Sequence, residues 1–389
     1  PPAIDEIKEI AKDQKATLVQ YSLINDKKQG ETIYIWVVSP PGDITVRIVL
    51  LKPLMQYQNT GLAQLVNQSR EVIGARGRSD IEVALSPEQL KQQQEQETRN
   101  LKQLHQLLIA PIADLLPKDP NQRVIFMPQG ELFLVPFPAL LDANNTALIE
   151  QHTILTAPSI QVLELTRQQR QANKSQQSGV NQVLIVGNPT MPKVVTQLGD
   201  EPEQLSNLPG AKQEALTIAK LFNTQAMIGQ QATERAIVQQ MPNARIIHLA
   251  THGLLDDVKG LGVPGAIALA PSGNGQLNDG LLTSDEILDM KLKAELVVLS
   301  ACDTGRGRIT GDGVIGLSRS LITAGVPSII VSLWKVPDEP TRFLMTEFYQ
   351  NLQKKPDKAQ ALRQAMLPTK QKYPEPLDWA AFTLIGEAE

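Results

Sequence analysis

Residues 244–253 read Ala-Arg-Ile-Ile-His-Leu-Ala-Thr-His-Gly, and residues 295–305 read Glu-Leu-Val-Val-Leu-Ser-Ala-Cys-Asp-Thr-Gly. Each opens on a short apolar, β-branched run of the kind that fills a strand buried on both faces. The expected strands are Ala244–Leu249 and Glu295–Ser300. Each then passes into a polar, glycine-containing stretch, so His252 and Cys302 are expected where a buried strand gives way to a loop. Further strands are expected at Val183–Val186 and Pro327–Leu333, and helices at Gly210–Phe222, Thr233–Gln240, Thr283–Met290, Asp312–Ala324, 340–353 and 357–367. Strands alternating with helices predict an α/β fold with a mainly parallel sheet covered on both faces.

The first half is less regular. A helix is expected over Ile4–Lys15, then a hairpin of Glu31–Val38 and Asp43–Leu51 turning at Pro40-Pro41-Gly42. Helical spacing covers 56–75. A longer helix is expected from Ser86 to Leu116, with Ser86 as N-cap and Pro87 at the first helical position. Arg123–Met127 reads as a buried strand, and Ile154-Leu155 is a further apolar pair. The stretch Gln168–Gln182 is polar, lacks apolar periodicity, and reads as a linker or exposed loop. The domain boundary is placed there, with domains 1–175 and 176–389.

Composition narrows the function. The chain has 389 residues, more than one compact core commonly holds, which suits two domains. A net charge of -4 excludes a strongly basic nucleic-acid binder working by bulk electrostatics. With one cysteine, Cys302, no intramolecular disulfide can form, so a disulfide-stapled secreted scaffold is excluded. No apolar run approaches the ~20 residues needed to span a bilayer. The opening Pro1-Pro2-Ala3 is no signal peptide and lacks an initiator Met, as in a piece of a longer chain. The expected setting is soluble, reducing and cytoplasmic, with no membrane partner.

The chemistry rests on His252 and Cys302, 50 residues apart, an interval that permits adjacent parallel strands joined by a crossover. A free thiol has a pKa near ~8.5, so little is thiolate at neutral pH. An imidazole beside it can take the proton and later return it to a leaving amine. Backbone N–H groups at Gly253 and Cys302 suit an oxyanion hole, because both are expected on loops beyond the strand ladder. Taken singly, a lone Cys is more often a small core residue and a lone His more often structural; the matched placement is what favours chemistry. His248 reads as a buried, hydrogen-bonded strand residue, and His105 and His152 as structural or exposed. One Cys and two His without a Cys-x-x-Cys context make no zinc site. The loop 305–313 lacks the Gly-Lys-Ser/Thr of a phosphate-binding loop and reads as a loop beside a substrate groove. No cofactor is implied.

The two blocks resemble those of CHAT domains. His248-Leu249-Ala250-Thr251-His252-Gly253 is similar to the family's H-x-A-T-H-G block, and Leu299-Ser300-Ala301-Cys302-Asp303-Thr304-Gly305 to its L-S-A-C-x-T-G block. Gly311–Arg319, Ala324–Pro327, Ser332–Asp338 and, upstream, Met127–Leu132 and Val135–Phe137 continue the resemblance, which covers most of 120–389. It implies a caspase-like cysteine peptidase related to separase, built as an α/β/α sandwich preceded by a related inactive unit. His252 would be the general base and Cys302 the nucleophile. Asp338 would form an acidic pocket for a basic P1 residue, with Asp303 and Glu339 as lesser contributors; Lys335, where relatives often carry Asp, departs from the separase form. Asp338 equally suits the N-terminal cap of the following helix. The resemblance further implies a regulatory cut in a protein substrate, as in bacterial signalling, helical TPR-type repeats upstream, and a protein activator. The rival reading is a catalytically silent or latent protein-binding scaffold module.

Overall fold

The computed structural model describes residues 2–26, 30–52, 61–74, 86–176, 182–194, 201–254, 265–273, 278–301 and 311–389. Cys302, Asp303 and the rest of the loop up to residue 310 lie outside them. The fold is mixed α/β around one sheet with a mostly parallel centre. The strands are β1 (Ala16–Asp26), β2 (Gly30–Val38), β3 (Ile44–Leu50), β4 (Arg123–Met127), β5 (Thr153–Thr156), β6 (Gln182–Pro189), β7 (Lys193–Val194), β8 (Glu203–Gln204), β9 (Ala226–Gly229), β10 (Ala244–Leu254), β11 (Ala266–Ala268), β12 (Leu281–Thr283), β13 (Leu296–Ala301), β14 (Ser328–Ser332) and β15 (Phe382–Gly386). Among the described residues the main sheet has 13 strands and runs β12-β11-β10-β13-β14-β15-β5-β4-β1-β2-β3, with β6 also paired to β10 and β9 paired to β6. β7 and β8 form a separate small hairpin.

The central strands are parallel because helices carry the chain back between them. β10 aligns with β13 as Ile246↔Leu296 to Leu249↔Leu299, and β13 with β14 as Val297↔Ile329 to Leu299↔Val331. Ile247, Leu296, Val297, Val298, Ile329 and Ile330 are all fully buried, as expected of apolar runs without polar alternation. The hairpin β2–β3 also forms as expected, around Ser39 to Asp43.

The longer helices are α1 (Ile4–Gln14), α2 (Leu62–Ile73), α3 (Pro87–Leu108), α4 (Ile160–Gln176), α5 (Pro209–Leu221), α6 (Glu234–Gln240), α7 (Gly311–Thr323), α8 (Asp338–Lys354) and α9 (Lys358–Lys372). Ser86 caps α3 by accepting from the Gln89 N–H, and Thr233 caps α6 by accepting from the Ala236 N–H. Helices α5, α8 and α9 pack in a row. Helix α5 presses onto β6 at Gly187, where a Cβ would sit 2.4 Å from the Ala215 Cβ; only a glycine allows that approach.

Three local readings need correction. The polar stretch from Gln168 is not a loop, because α4 continues to Gln176. Its amides serve another helix end: Gln169 Nε2 donates to the Ile322 carbonyl at 2.6 Å, and Asn173 Nδ2 to the Gly325 carbonyl at 3.2 Å. The strand expected to end at Leu249 runs on to Leu254. The expected helix up to Leu116 ends at Leu108 and tightens into a 3₁₀ turn over Ala110–Leu115. Strands β1, β7, β8, β9, β12 and β15 went unread, and β15 joins the two halves of the sheet. It lies antiparallel to β14 and parallel to β5.

His152 precedes β5 and is buried, with its Nδ1 lacking a hydrogen-bond partner among the described residues. Burial, with the positive charge of Arg363 and His105 nearby, lowers its pKa to about 4. The unfolded chain therefore binds this proton at higher pH than the folded one. This contribution to stability is complete above the ordinary His value of 6.5 and falls as pH drops from there toward 4. The whole span is worth about 3 kcal/mol. A His152→Gln variant is expected to flatten denaturant-derived stability between pH 6.5 and 4; an unchanged slope would remove His152 as its source.

Candidate active site

The site begins with an irregularity in β10. Between Leu249 and His252 its register against β13 slips by one residue, so His252 falls opposite Ala301. The extra residue is a β-bulge beside the site. In a regular strand, positions 248 and 252 would share a face; the bulge breaks that count. Thr251 Oγ1 fixes it by donating to the Ala268 carbonyl of β11 at 2.7 Å.

The two histidines accordingly meet different surroundings. His248 is fully buried. Its Nδ1 is 3.0 Å from the Tyr349 hydroxyl on α8, and its Nε2 is 3.0 Å from Glu214 Oε1 on α5. The second contact is at ion-pair distance but misaligned for a hydrogen bond. Burial pushes the Tyr349 phenol well above its ordinary pKa, so it stays protonated. Donating to Nδ1, it leaves the His248 proton on Nε2, facing Glu214.

His252 is 2% exposed, and its Nε2 lies 2.8 Å from the Ser206 carbonyl oxygen. A carbonyl only accepts, so the contact assigns the proton to Nε2 and leaves Nδ1 as the basic nitrogen of the neutral ring. The Ser206 segment is held on both sides. The Gln204 side chain donates to the Met191 carbonyl, the Leu205 N–H donates to the Pro192 carbonyl at 3.2 Å, and the Leu208 N–H donates to Asn188 Oδ1 at 2.8 Å. Asn188 sits just past the buried part of β6 at φ +46°, a left-handed turn that asparagine tolerates.

Gly253 is not on a loop beyond the ladder. It lies within β10, in register with Ile267 of β11. Cys302 follows Ala301 directly in the chain but lies outside the described residues, as does Asp303. Of the loop 305–313, residues 311–313 open α7 and the rest lie outside.

Asp338 is the first residue of α8, with Pro337 as the cap. Its carboxylate rests on the first turn of α5: a Cβ on Gly210 would sit 1.9 Å from the Asp338 Cγ. It therefore lies near the positive ends of two helices. Asp338 also lines a cavity of about 30 Å³ with Glu214, Ser300, Lys335 and Thr341, room for a water molecule. Ser300, two residues before Cys302, turns a buried Oγ with no hydrogen-bond partner among the described residues. Glu339 does not join this group. It is exposed and pairs with Arg342 at 2.6 Å, which with nearby Lys372 holds its carboxyl below the usual range.

Sequence reasoning missed two contributors. Ser206 acts through its backbone carbonyl, so its side chain gives no signal. Glu214 had one: it is a carboxylate on the apolar face of α5, between Ala211, Ala215 and Ile218. No group of three or more candidate metal ligands occurs among the described residues.

The sheet order and site define a caspase-like α/β protein. A chain of the Saccharomyces cerevisiae separase–securin complex superposes with TM-scores of 0.54 and 0.57 in two crystal structures, at 12% and 10% identity, covering 98% of this chain and 31% and 30% of that one. At that identity the likeness is one of fold. A model of the CHAT domain matches residues 98–387, and the chain belongs to the CHAT-domain family. Tetratricopeptide repeat protein 28 of Mus musculus is 27% identical over 324 residues, and that of Homo sapiens 28%. Each alignment covers 74% of this chain and 13% of the relative, so this chain spans a small part of their length.

The Gly210–Asp338 contact has a measurable signature. Gly210→Ala is expected to lower stability by about 1–3 kcal/mol through steric overlap. Combined with Asp338→Gly, which also removes the Asp338 Cβ that lies 2.3 Å from the same position, the loss should shrink. Strictly additive losses in denaturant titrations would show that the contact is not the cause.

Proposed function

We propose that this chain is a cysteine endopeptidase of the CHAT type that cuts a protein substrate at a specific site, after a basic P1 residue. The observation that carries the reading is the register of His252 opposite Ala301, the residue directly before the sole cysteine of the chain. The adjacent parallel strands β10 and β13 end side by side at one edge of the sheet, which supports pairing the two motif blocks. Ligands gather at such carboxyl ends in α/β sheets.

In this mechanism the His252 Nδ1 takes the Cys302 thiol proton. The thiolate attacks the scissile carbonyl carbon, and the proton passes to the leaving amine. Water then hydrolyses the thioester, with the same imidazole as base. The Ser206 carbonyl holds the ring in the competent tautomer and steadies the imidazolium as it forms. Backbone N–H groups of Gly253 and Cys302 serve the oxyanion. Asp338 supplies negative charge for a P1 guanidinium or ammonium. Asp303 and Glu339 stay minor contributors. The unit 176–389 carries the chemistry and 1–175 is its inactive companion. Upstream helical repeats and a protein activator complete the proposed setting.

A second reading is a silent or latent protein-binding module. It is favoured by the curated relatives, which are named as tetratricopeptide repeat proteins and of which the chain covers 13%.

A fluorogenic peptide panel varied at P1, in reducing buffer, separates the two. Cleavage after Arg or Lys is expected, with Cys302→Ala and His252→Ala reduced at least ~10³-fold. No cleavage, together with slow alkylation of Cys302, would favour the binding module. In an active preparation, Asp338→Asn is expected to lower kcat/KM for Arg and Lys peptides about 10-fold or more while sparing neutral P1 peptides. Equal losses on both classes would assign Asp338 a structural role at the start of α8.

A further inference from the structure

A second cavity lies at the opposite edge of the sheet. It measures about 580 Å³ and is bounded by the beginnings of β4, β10 and β13 and by the connection between α8 and α9. Its volume falls within the range of small-molecule sites, ~300–1,000 Å³. Ile246, which lines it, is six residues before His252 on β10, so the two sites are roughly 20 Å apart along the strand.

The charges in this cavity are unevenly matched. Arg123 is bound by two carboxylates, Asp357 and Glu389, each at 2.7 Å, and Arg245 is paired with Glu295. Every carboxylate lining the cavity is therefore taken by a guanidinium. Lys15, Lys355 and Lys358 also line it, and no described carboxylate reaches ion-pair distance of their ammonium groups. Lys355 has only the Gln360 amide, at 2.9 Å. Lys358 is 5% exposed, has no side-chain hydrogen bond among the described residues, and is the first residue of α9, whose end is already capped by Asp357 Oδ1 on the Gln360 N–H. Burial lowers its pKa to about 8, the mark of an ammonium short of solvation. Asn121, Gln122 and Gln353 complete the wall; the Asn121 amide donates to Asp119 Oδ1 and the Gln353 amide to the Leu221 carbonyl.

We propose that this cavity is a binding site for a small phosphate-bearing polyanion, with Lys358 at its base and Lys15 and Lys355 at its rim. Occupancy would bridge β4 of the first half of the chain to β10 and β13 of the second. The proposal is independent of the peptidase reading.

Inorganic pyrophosphate is the probe, titrated into the full chain at pH 7 in phosphate- and sulfate-free buffer. Thermal unfolding and calorimetry are the readouts, with sodium chloride matched for ionic strength. The expected result is a saturable rise in Tm and a Kd weakened at least 10-fold by Lys358→Met. A Lys15→Ala/Lys355→Ala variant, which leaves the buried base intact, should weaken binding about 5-fold, and it serves if Lys358→Met fails to fold. His252→Ala should bind as the unmodified chain does. A response no larger than that to sodium chloride, or undiminished binding by the folded lysine variants, would overturn the proposal.

Discussion

The sheet depends on one seam. Strand β15 pairs with β14 from Ser328↔Gly386 to Ser332↔Phe382, and its other edge meets β5 at Ile385↔Thr156. Thr156 Oγ1 contacts Thr383 Oγ1 at 2.9 Å and donates to the Leu384 carbonyl at 3.2 Å. Without β15, the halves would each present an open edge lined by buried apolar residues, the arrangement most prone to wrong pairing. Arg70 adds a second tie: its guanidinium donates to the carbonyls of Leu134 and Leu333, one from each half. An arginine 4% exposed with two backbone acceptors is costly to replace, since both carbonyls would lose a charge-assisted partner.

The site edge inherits its rigidity from that sheet. His252 is placed by three constraints: the parallel ladder to β13, the bulge fixed by Thr251, and the Ser206 carbonyl. None of them depends on a flexible side chain. The neighbouring His248 is held between Tyr349 and Glu214, so two histidines four residues apart play different parts. One is enclosed by a tyrosine hydroxyl and a carboxylate. The other meets a backbone carbonyl at the strand end.

Much of this was legible in the residues. The runs Ile246-Ile247, Val297-Val298 and Ile329-Ile330 have no polar alternation, and only burial on both faces suits that pattern. The blocks around His252 and Cys302 pointed to the family that the comparison then showed. What escaped has physical reasons. The bulge is a matter of register, and Ala250-Thr251 suits a regular strand equally well. Ser206 contributes a carbonyl, which every residue has. The amides from Gln168 onward looked solvated because their acceptors, Ile322 and Gly325, are about 150 residues away. β1 escaped because Gln20 and Ser22 interrupt its apolar character while its ladder partners, β2 and β4, supply the hydrogen bonds.

The position of β15 in the chain also sets an order of events. Its partner β5 ends at Thr156, while β15 begins at Phe382. A ribosome adding about 5–20 residues per second takes roughly 10–45 s to cover that interval. Throughout it, the β5 edge has emerged and its neighbour does not yet exist. The nascent first half must therefore wait with an unpaired apolar edge, and final closure joins contacts far apart in sequence, which slows folding. For this protein the vulnerable period is synthesis itself, and a chaperone that shields the β5 edge would act before the site at β10 and β13 is assembled.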